Sequence, residues 1–195
     1  MLEAQALADW LGQGGVAVFP TDTLPALAAS PSHAAQIWHL KQRPAQKPLI
    51  LMGASLAQLQ QALDLDWPEP WLQQAQRCWP GAVTLVLPIR GVLTEALHPG
   101  GASLGLRVPA CPQAQELLHR SGPLATTSAN LSGQPPVADA QAAAAVFPQL
   151  PRLGPLPWPR GSGVASSVLA WTPERDEAQS SAAWQLLRDG GDSPR

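Results

Sequence analysis

Val16-Ala17-Val18-Phe19-Pro20-Thr21-Asp22-Thr23-Leu24-Pro25 is an apolar run that ends in two hydroxyls flanking a carboxylate. One helix later comes Leu40-Lys41-Gln42-Arg43-Pro44-Ala45-Gln46-Lys47-Pro48-Leu49-Ile50, in which three cations stand between residues 41 and 47, bracketed by two prolines, before a second apolar run. Strand ends that offer hydroxyls and backbone amides opposite concentrated Lys and Arg make the surroundings that an anionic ligand such as a nucleotide phosphate needs.

Outward from this segment, strand and helix patterns alternate. Leu2, Leu7, Trp10 and Leu11 share a helical face, and Gly12, Gly14 and Gly15 stop it, so residues 2–12 are predicted helical. Ser32 is expected to cap a helix carrying Ile37, Trp38 and Leu40, which delivers Lys41 and Arg43 just before Pro44 forbids continuation. Further strands are predicted at 49–52, 83–87, 104–108, 124–127, 167–171 and 184–188, the last two around a polar hairpin loop. Further helices are predicted at 56–63 behind Ser55, at 68–79, at 112–121 and at 138–147. A loop with a short helix is expected over 89–103, and a proline-rich surface loop or lid over 148–163. Interleaved strands and helices without a repeat predict an α/β fold, a single-domain twisted open mixed sheet with flanking helices over residues 1–195.

Composition narrows the function. With 195 residues the chain can bury a proper core. A net charge of −2 excludes a uniformly basic nucleic-acid coat, so any polyanion site must be local. Cys78 and Cys111 lack Cys-x-x-Cys spacing and are expected to be buried thiols in a cytoplasmic protein. No apolar run approaches the ~20 residues of a membrane span. His33, His39, His98 and His119 share no metal-ligand spacing and are read as surface or helix residues, and the eight tryptophans as packing.

Each motif admits two readings from its residues alone. Pro20-Thr21-Asp22-Thr23 makes a turn and cap as readily as a binding loop. Lys41, Arg43 and Lys47 either complement a helix C-terminus in solvent or are held by the prolines for a ligand. Ser128-Ala129-Asn130-Leu131-Ser132-Gly133 follows a strand, where such residues bond their own backbone or, at the edge of an open α/β sheet, a ligand. Arg107 interrupts an apolar strand and is costly to bury without a partner.

Taken together and in order, these blocks resemble the YrdC-like threonylcarbamoyl-AMP synthases, in a short form without a C-terminal extra domain. The resemblance extends from about residue 10 to 190 and includes Pro80-Gly81-x-x-Thr84, Leu106-Arg107-Val108-Pro109, Gly163-Val164-Ala165-Ser166-Ser167-Val168 and Leu187-Arg188-Asp189-Gly190. It implies an enzyme that condenses L-threonine, bicarbonate and ATP to threonylcarbamoyl-AMP and pyrophosphate, for a downstream tRNA threonylcarbamoyl transferase machinery. By resemblance, Lys41, Arg43, Thr84, Ser128, Asn130, Ser167 and Arg188 would bind ATP, and Thr21, Thr23, Lys47, Arg107 and Ser128 would bind threonine. No residue is assigned as nucleophile or base. Mg²⁺ would accompany ATP, held by phosphate oxygens and water, and tRNA would bind weakly. The chain departs from the family where Leu24-Pro25-Ala26 replaces Val-Tyr-Gly, and where Ala165 and Ser167 replace a glutamate and a threonine. These departures leave open an RNA-binding module of the same fold without catalysis, or a structural paralogue without ligand.

Overall fold

The protein is described by a computed structural model over residues 1–172 and 184–190. Eight strands among these residues form one sheet: β1 (Val16–Phe19), β2 (Ala26–Ala29), β3 (Ile50–Met52), β4 (Val83–Leu87), β5 (Leu104–Arg107), β6 (Leu124–Ser128), β7 (Ser167–Trp171) and β8 (Trp184–Arg188). Their spatial order is β1-β2-β6-β3-β5-β4-β7-β8. Parallel pairing joins β3 to β5 and β4 to β7, and the other neighbours run antiparallel, so the sheet is mixed as predicted. The helices are α1 (Ala4–Gly12), α2 (Ala35–Lys41), α3 (Leu56–Leu63), α4 (Glu69–Cys78), α5 (Val92–Leu97), α6 (Pro112–Ser121) and α7 (Ala140–Val146). The hairpin loop expected after β7 lies outside the described residues.

Alternation along the strands sorts the sheet into two unequal faces. Val83, Leu85 and Leu87 of β4 with Leu104 and Leu106 of β5 point into the larger core, which also takes Ile37 and Trp38 of α2, Trp71 of α4 and Ala143 of α7. Trp67, Trp71, Trp79, Trp171 and Trp184 meet there edge to face, so these tryptophans do pack. The smaller core joins α1 and α6 to Phe19, Ala26, Ala28, Met52 and Leu124. These two helices cover the β1-β2-β6 side of their face and reach Met52 of β3. The rest of that face stays open and carries Thr84, Val86, Gly105 and Arg107 on its floor.

Several local expectations are corrected. Strand β2 was not anticipated, because Ala26-Leu27-Ala28-Ala29 lacks the branched residues that mark strands; it forms because β1 and β6 pair with both of its edges and bury every residue. Ser32 does not cap α2. Pro31 starts a tight 3-10 turn through His33, and α2 begins at Ala35 behind Ala34, without a side-chain cap. Ser55 does cap α3, accepting from Gln58 N at 3.1 Å. The proline-rich segment is not a free surface loop: Pro151 to Gly154 straps the outer edge of β1, with Val18 N donating to Pro151 O at 3.0 Å and Leu153 N to Val18 O at 3.0 Å. Both cysteines are buried and unpaired. Among the described residues no helix is long and apolar enough to cross a membrane.

Candidate functional site

The open part of the sheet face forms a cavity of about 470 Å³. It brings together Thr21, Thr23, Arg43, Thr84, Arg107, Ser128 and Arg188 from stretches that the sequence separates by more than 160 residues.

Loop 20–25 between β1 and β2 supplies one wall. Thr21 Oγ1 donates to Leu24 O at 2.7 Å and accepts from Thr23 N at 3.1 Å. Because that hydroxyl's one hydrogen is engaged, Thr23 must donate across the 3.0 Å between the two oxygens. Thr23 Oγ1 in turn accepts from Arg107 Nη1 at 2.8 Å. Both hydroxyl hydrogens therefore hold the turn itself, and Thr23 keeps a lone pair for a ligand. Arg107, 3% exposed, also donates from Nε to Gly81 O at 3.1 Å and from Nη2 to Asp22 Oδ1 at 2.7 Å. The cost anticipated for burying this cation is met by an ion pair inside the wall. Burial still lowers the proton affinity of the guanidinium, against the pull of Asp22.

The segment 158–163 closes over the same turn. Ser162 N donates to Asp22 O at 2.9 Å and Gly163 N to Thr23 O at 3.1 Å. Gly161 lies so close that a Cβ there would stand 2.2 Å from Thr23 O and 2.9 Å from Thr21 O. Both are backbone atoms that cannot swing aside. Gly161→Ala is expected to displace the turn at a cost of about 1–3 kcal/mol, the scale of overpacking. Thermal unfolding measures it; an unchanged midpoint would mean that the segment lifts without disturbing Thr21 and Thr23.

A second part of the lining comes from the end of β6, which adjoins the same loop, and from the end of α2. Lys41, 1% exposed, does not line the cavity. Its ammonium lies beneath the strand end, donating to Ser128 O at 2.5 Å, Asn130 O at 2.6 Å and Asn130 Oδ1 at 2.9 Å. Its own carbonyl accepts from Ser132 N at 2.9 Å. Three ammonium hydrogens meet three oxygens, so Lys41 has none left for a phosphate. Desolvation, with the Arg43 charge second, brings its pKa down to about 8. Ser128 Oγ donates to Asn130 Oδ1 at 2.7 Å, and Asn130 Nδ2 to Gln134 O at 2.6 Å, so Asn130 shapes the turn and Ser128 lines the cavity. Arg43 lines it too, held by Nη2 on Pro48 O at 3.0 Å, with Nη1 making no hydrogen bond among the described residues. Lys47 is exposed and does not line the cavity.

At the β7-β8 side the expected serine is exchanged for its neighbour. Ser167 is fully buried and its Oγ accepts from Gly190 N at 2.9 Å. Ser166 lines the cavity, 2.9 Å from Thr84 Oγ1, and accepts from Arg188 Nη2 at 3.3 Å. Met52, Val86, Gly105, Ser103 and His98 also line the cavity and had not been singled out for a site; Leu24, at a departure from the family pattern, lines it too. Strand period held the signal for part of this set: Gly105 and Val86 stand two positions from Arg107 and Thr84 and so share their face. His98, read as a surface or helix residue, is in the wall.

Residues 9–190 match the Sua5/YciO/YrdC family, described as Telomere recombination. A threonylcarbamoyl-AMP synthase of Pseudomonas aeruginosa (strain UCBPP-PA14) is 36% identical over 135 residues, which are 68% of this chain and 72% of that protein. One of Bacillus subtilis is 38% identical over 139 residues, 68% of this chain and 39% of that protein. The crystal structure of P. abyssi Sua5 complexed with L-threonine superposes with a TM-score of 0.83 at 32% identity, over 96% of this chain and 54% of that one. The chain thus spans about half the length of that Sua5.

Proposed function

Because the chain belongs to the Sua5/YciO/YrdC family, we infer that it is a threonylcarbamoyl-AMP synthase, an adenylate-forming nucleotidyltransferase acting on ATP and L-threonine. The threonine amine takes up bicarbonate with loss of water, and a carbamate oxygen then attacks the α-phosphorus of ATP as pyrophosphate leaves. The mixed anhydride that results is the activated group for tRNA threonylcarbamoyladenosine, handed to a tRNA threonylcarbamoyl transferase machinery in the cytoplasm. Such a transfer needs positioning and charge neutralisation more than a protein nucleophile.

One observation carries the reading: Arg43 and Arg188, each with Nη1 unengaged among the described residues, line one cavity with the Thr21-Thr23 turn and Ser128. The guanidinium groups suit phosphate oxygens and the polyphosphate that leaves. The open lone pair on Thr23 Oγ1 suits the threonine ammonium or hydroxyl. Lys41 and Asn130 serve ATP indirectly, by holding Ser128 in place; Arg107 serves threonine in the same way through Thr23. Lys47 would reach ligand only from the exposed rim. Magnesium fits as part of the substrate. Among the described residues no group of three His, Cys, Asp or Glu side chains is placed to hold a metal, and Asp22 is paired with Arg107, so phosphate oxygens and water would hold the ion.

Pyrophosphate release that depends on both threonine and bicarbonate tests the reaction; release without either, or none, would exclude it. Arg43→Ala is expected to weaken ATP binding by about 1.5–3 kcal/mol, the scale of a charge-assisted hydrogen bond. Unchanged affinity in calorimetry would remove Arg43 from the phosphate site. With a net charge of −2, unmodified tRNA is expected to bind weakly and with a shallow salt dependence.

A further inference from the structure

One imidazole in the cavity wall has no part in the scheme above. His98 follows α5, and its Nδ1 lies 2.9 Å from Ser103 O. A carbonyl only accepts, so Nδ1 carries a hydrogen and the neutral ring keeps Nε2 as an acceptor. No hydrogen bond to Nε2 is made among the described residues. Gly101 packs against the same ring, for a Cβ there would fall 2.2 Å from Nδ1 and 2.3 Å from Cγ. Ser103 and Gly101 together fix how the ring stands.

The floor beside His98 is flat and apolar. Leu49 N donates to Leu97 O at 2.9 Å, which draws the start of β3 against the end of α5. Pairing sets Ile50, Gly105 and Val86 abreast across β3, β5 and β4. Gly105 has no side chain, and methyl groups of Ile50 and Thr84 stand 2.9 and 3.4 Å from where its Cβ would be. Along β5, Arg107 is two residues further on, about 6.6–6.8 Å at the usual strand rise. The His98 end of the cavity holds a shelf, the Ile50-Gly105-Val86 row, with the Arg43 side chain held on Pro48 O beside it, and Arg107, Thr23, Thr84 and Ser166 lie toward the other end.

A planar ring with a hydrogen to donate fits such a shelf and the open acceptor at its end. We propose that the shelf over Gly105 takes the purine of the nucleotide and that His98 Nε2 accepts from its exocyclic amine, so that His98 selects a 6-amino purine over a 6-oxo purine. This rests on the adenylate-forming reading above. A 6-oxo group would set its own lone pairs against Nε2, and a purine without the amine would leave Nε2 unpaired.

The test combines truncation of the base with truncation of the protein. Pyrophosphate release is followed with ATP, purine riboside triphosphate and inosine triphosphate in the wild type, His98→Ala and Gly101→Ala, with threonine and bicarbonate saturating. The wild type is expected to favour ATP over purine riboside triphosphate by about tenfold in kcat/KM, the scale of one neutral hydrogen bond, with inosine triphosphate poorer still. In His98→Ala the first two should come within about twofold of each other, with KM for threonine unchanged. Gly101→Ala, which moves the ring without removing it, should also lower the preference. A preference retained in His98→Ala, or an equal loss on all three nucleotides, overturns the proposal. Should the wild type release no pyrophosphate with any nucleotide, the adenylate-forming reading is what fails, and calorimetric affinities of the same three nucleotides for wild type and His98→Ala still decide the role of His98.

Discussion

Replacing Arg107 with alanine is expected to lower the stability of the protein by about 3–5 kcal/mol, the range for removing one member of a buried ion pair. The cause is less the lost attraction than what stays behind. Asp22 would remain 15% exposed without its cation, and Gly81 O and Thr23 Oγ1 would each lose a donor. Adding Asp22→Asn should recover part of the loss, because an amide leaves no uncompensated charge, and the double substitution is then less harmful than the sum of the singles. Urea denaturation of the three variants measures this. A cost below about 1 kcal/mol for Arg107→Ala would fall in the range of exposed pairs and show that the pair does not hold the turn.

Lys41→Met is expected to be nearly as severe, at about 2–3 kcal/mol, since a methionine of similar reach takes the ammonium from Ser128 O and Asn130 O and leaves Asn130 Oδ1 to the Ser128 hydroxyl. Proton linkage gives a separate signature. The unfolded chain keeps the Lys41 proton up to its ordinary value of 10.5, whereas the folded chain releases it near 8. Between those values the unfolded state binds more protons, so this group makes the fold more stable as pH rises; below about 8 its contribution is constant. Activity should move the other way, because the neutral amine has two hydrogens for three oxygens and the Ser128-Asn130 turn slackens. Opposed slopes of stability and of ATP affinity above pH 8 in the wild type, both flattened in Lys41→Met, are the expected result. Parallel slopes would assign the titration to another group.

These two residues also mark how far the sequence could be read. Arg107 stood out because a cation on an apolar strand must be answered by something; that the answer is Asp22 needs the loop between β1 and β2 folded back over β5, a contact across 85 residues. Lys41 sat in a recognisable cation cluster, but its direction depends on where the end of β6 lies, and no local pattern contains that. Strand β4 was legible since Val-Thr-Leu-Val-Leu alternates between a covered and an open face. Strand β2 was not, since three alanines and a leucine become a strand only by being enclosed. The exchange of Ser166 for Ser167 follows alternation along β7: Ser166 and Val168 line the cavity, whereas Ser167 and Leu169 are buried on the other face, Ser167 against Gly190 N.

The two ends of the sheet are finished differently. Along β1, the 151–154 strap occupies the outer edge, whereas residues 185–188 of β8 are exposed at the opposite end. Cooperative units come away from a protein in order of how much surface they bury, and β8 is placed to leave early. It would take Arg188 with it, while Arg43 and Ser128 stayed where they are. Departure of Arg188 from the site is then expected ahead of loss of the fold, read as faster hydrogen exchange in β8 than in β4 and β5.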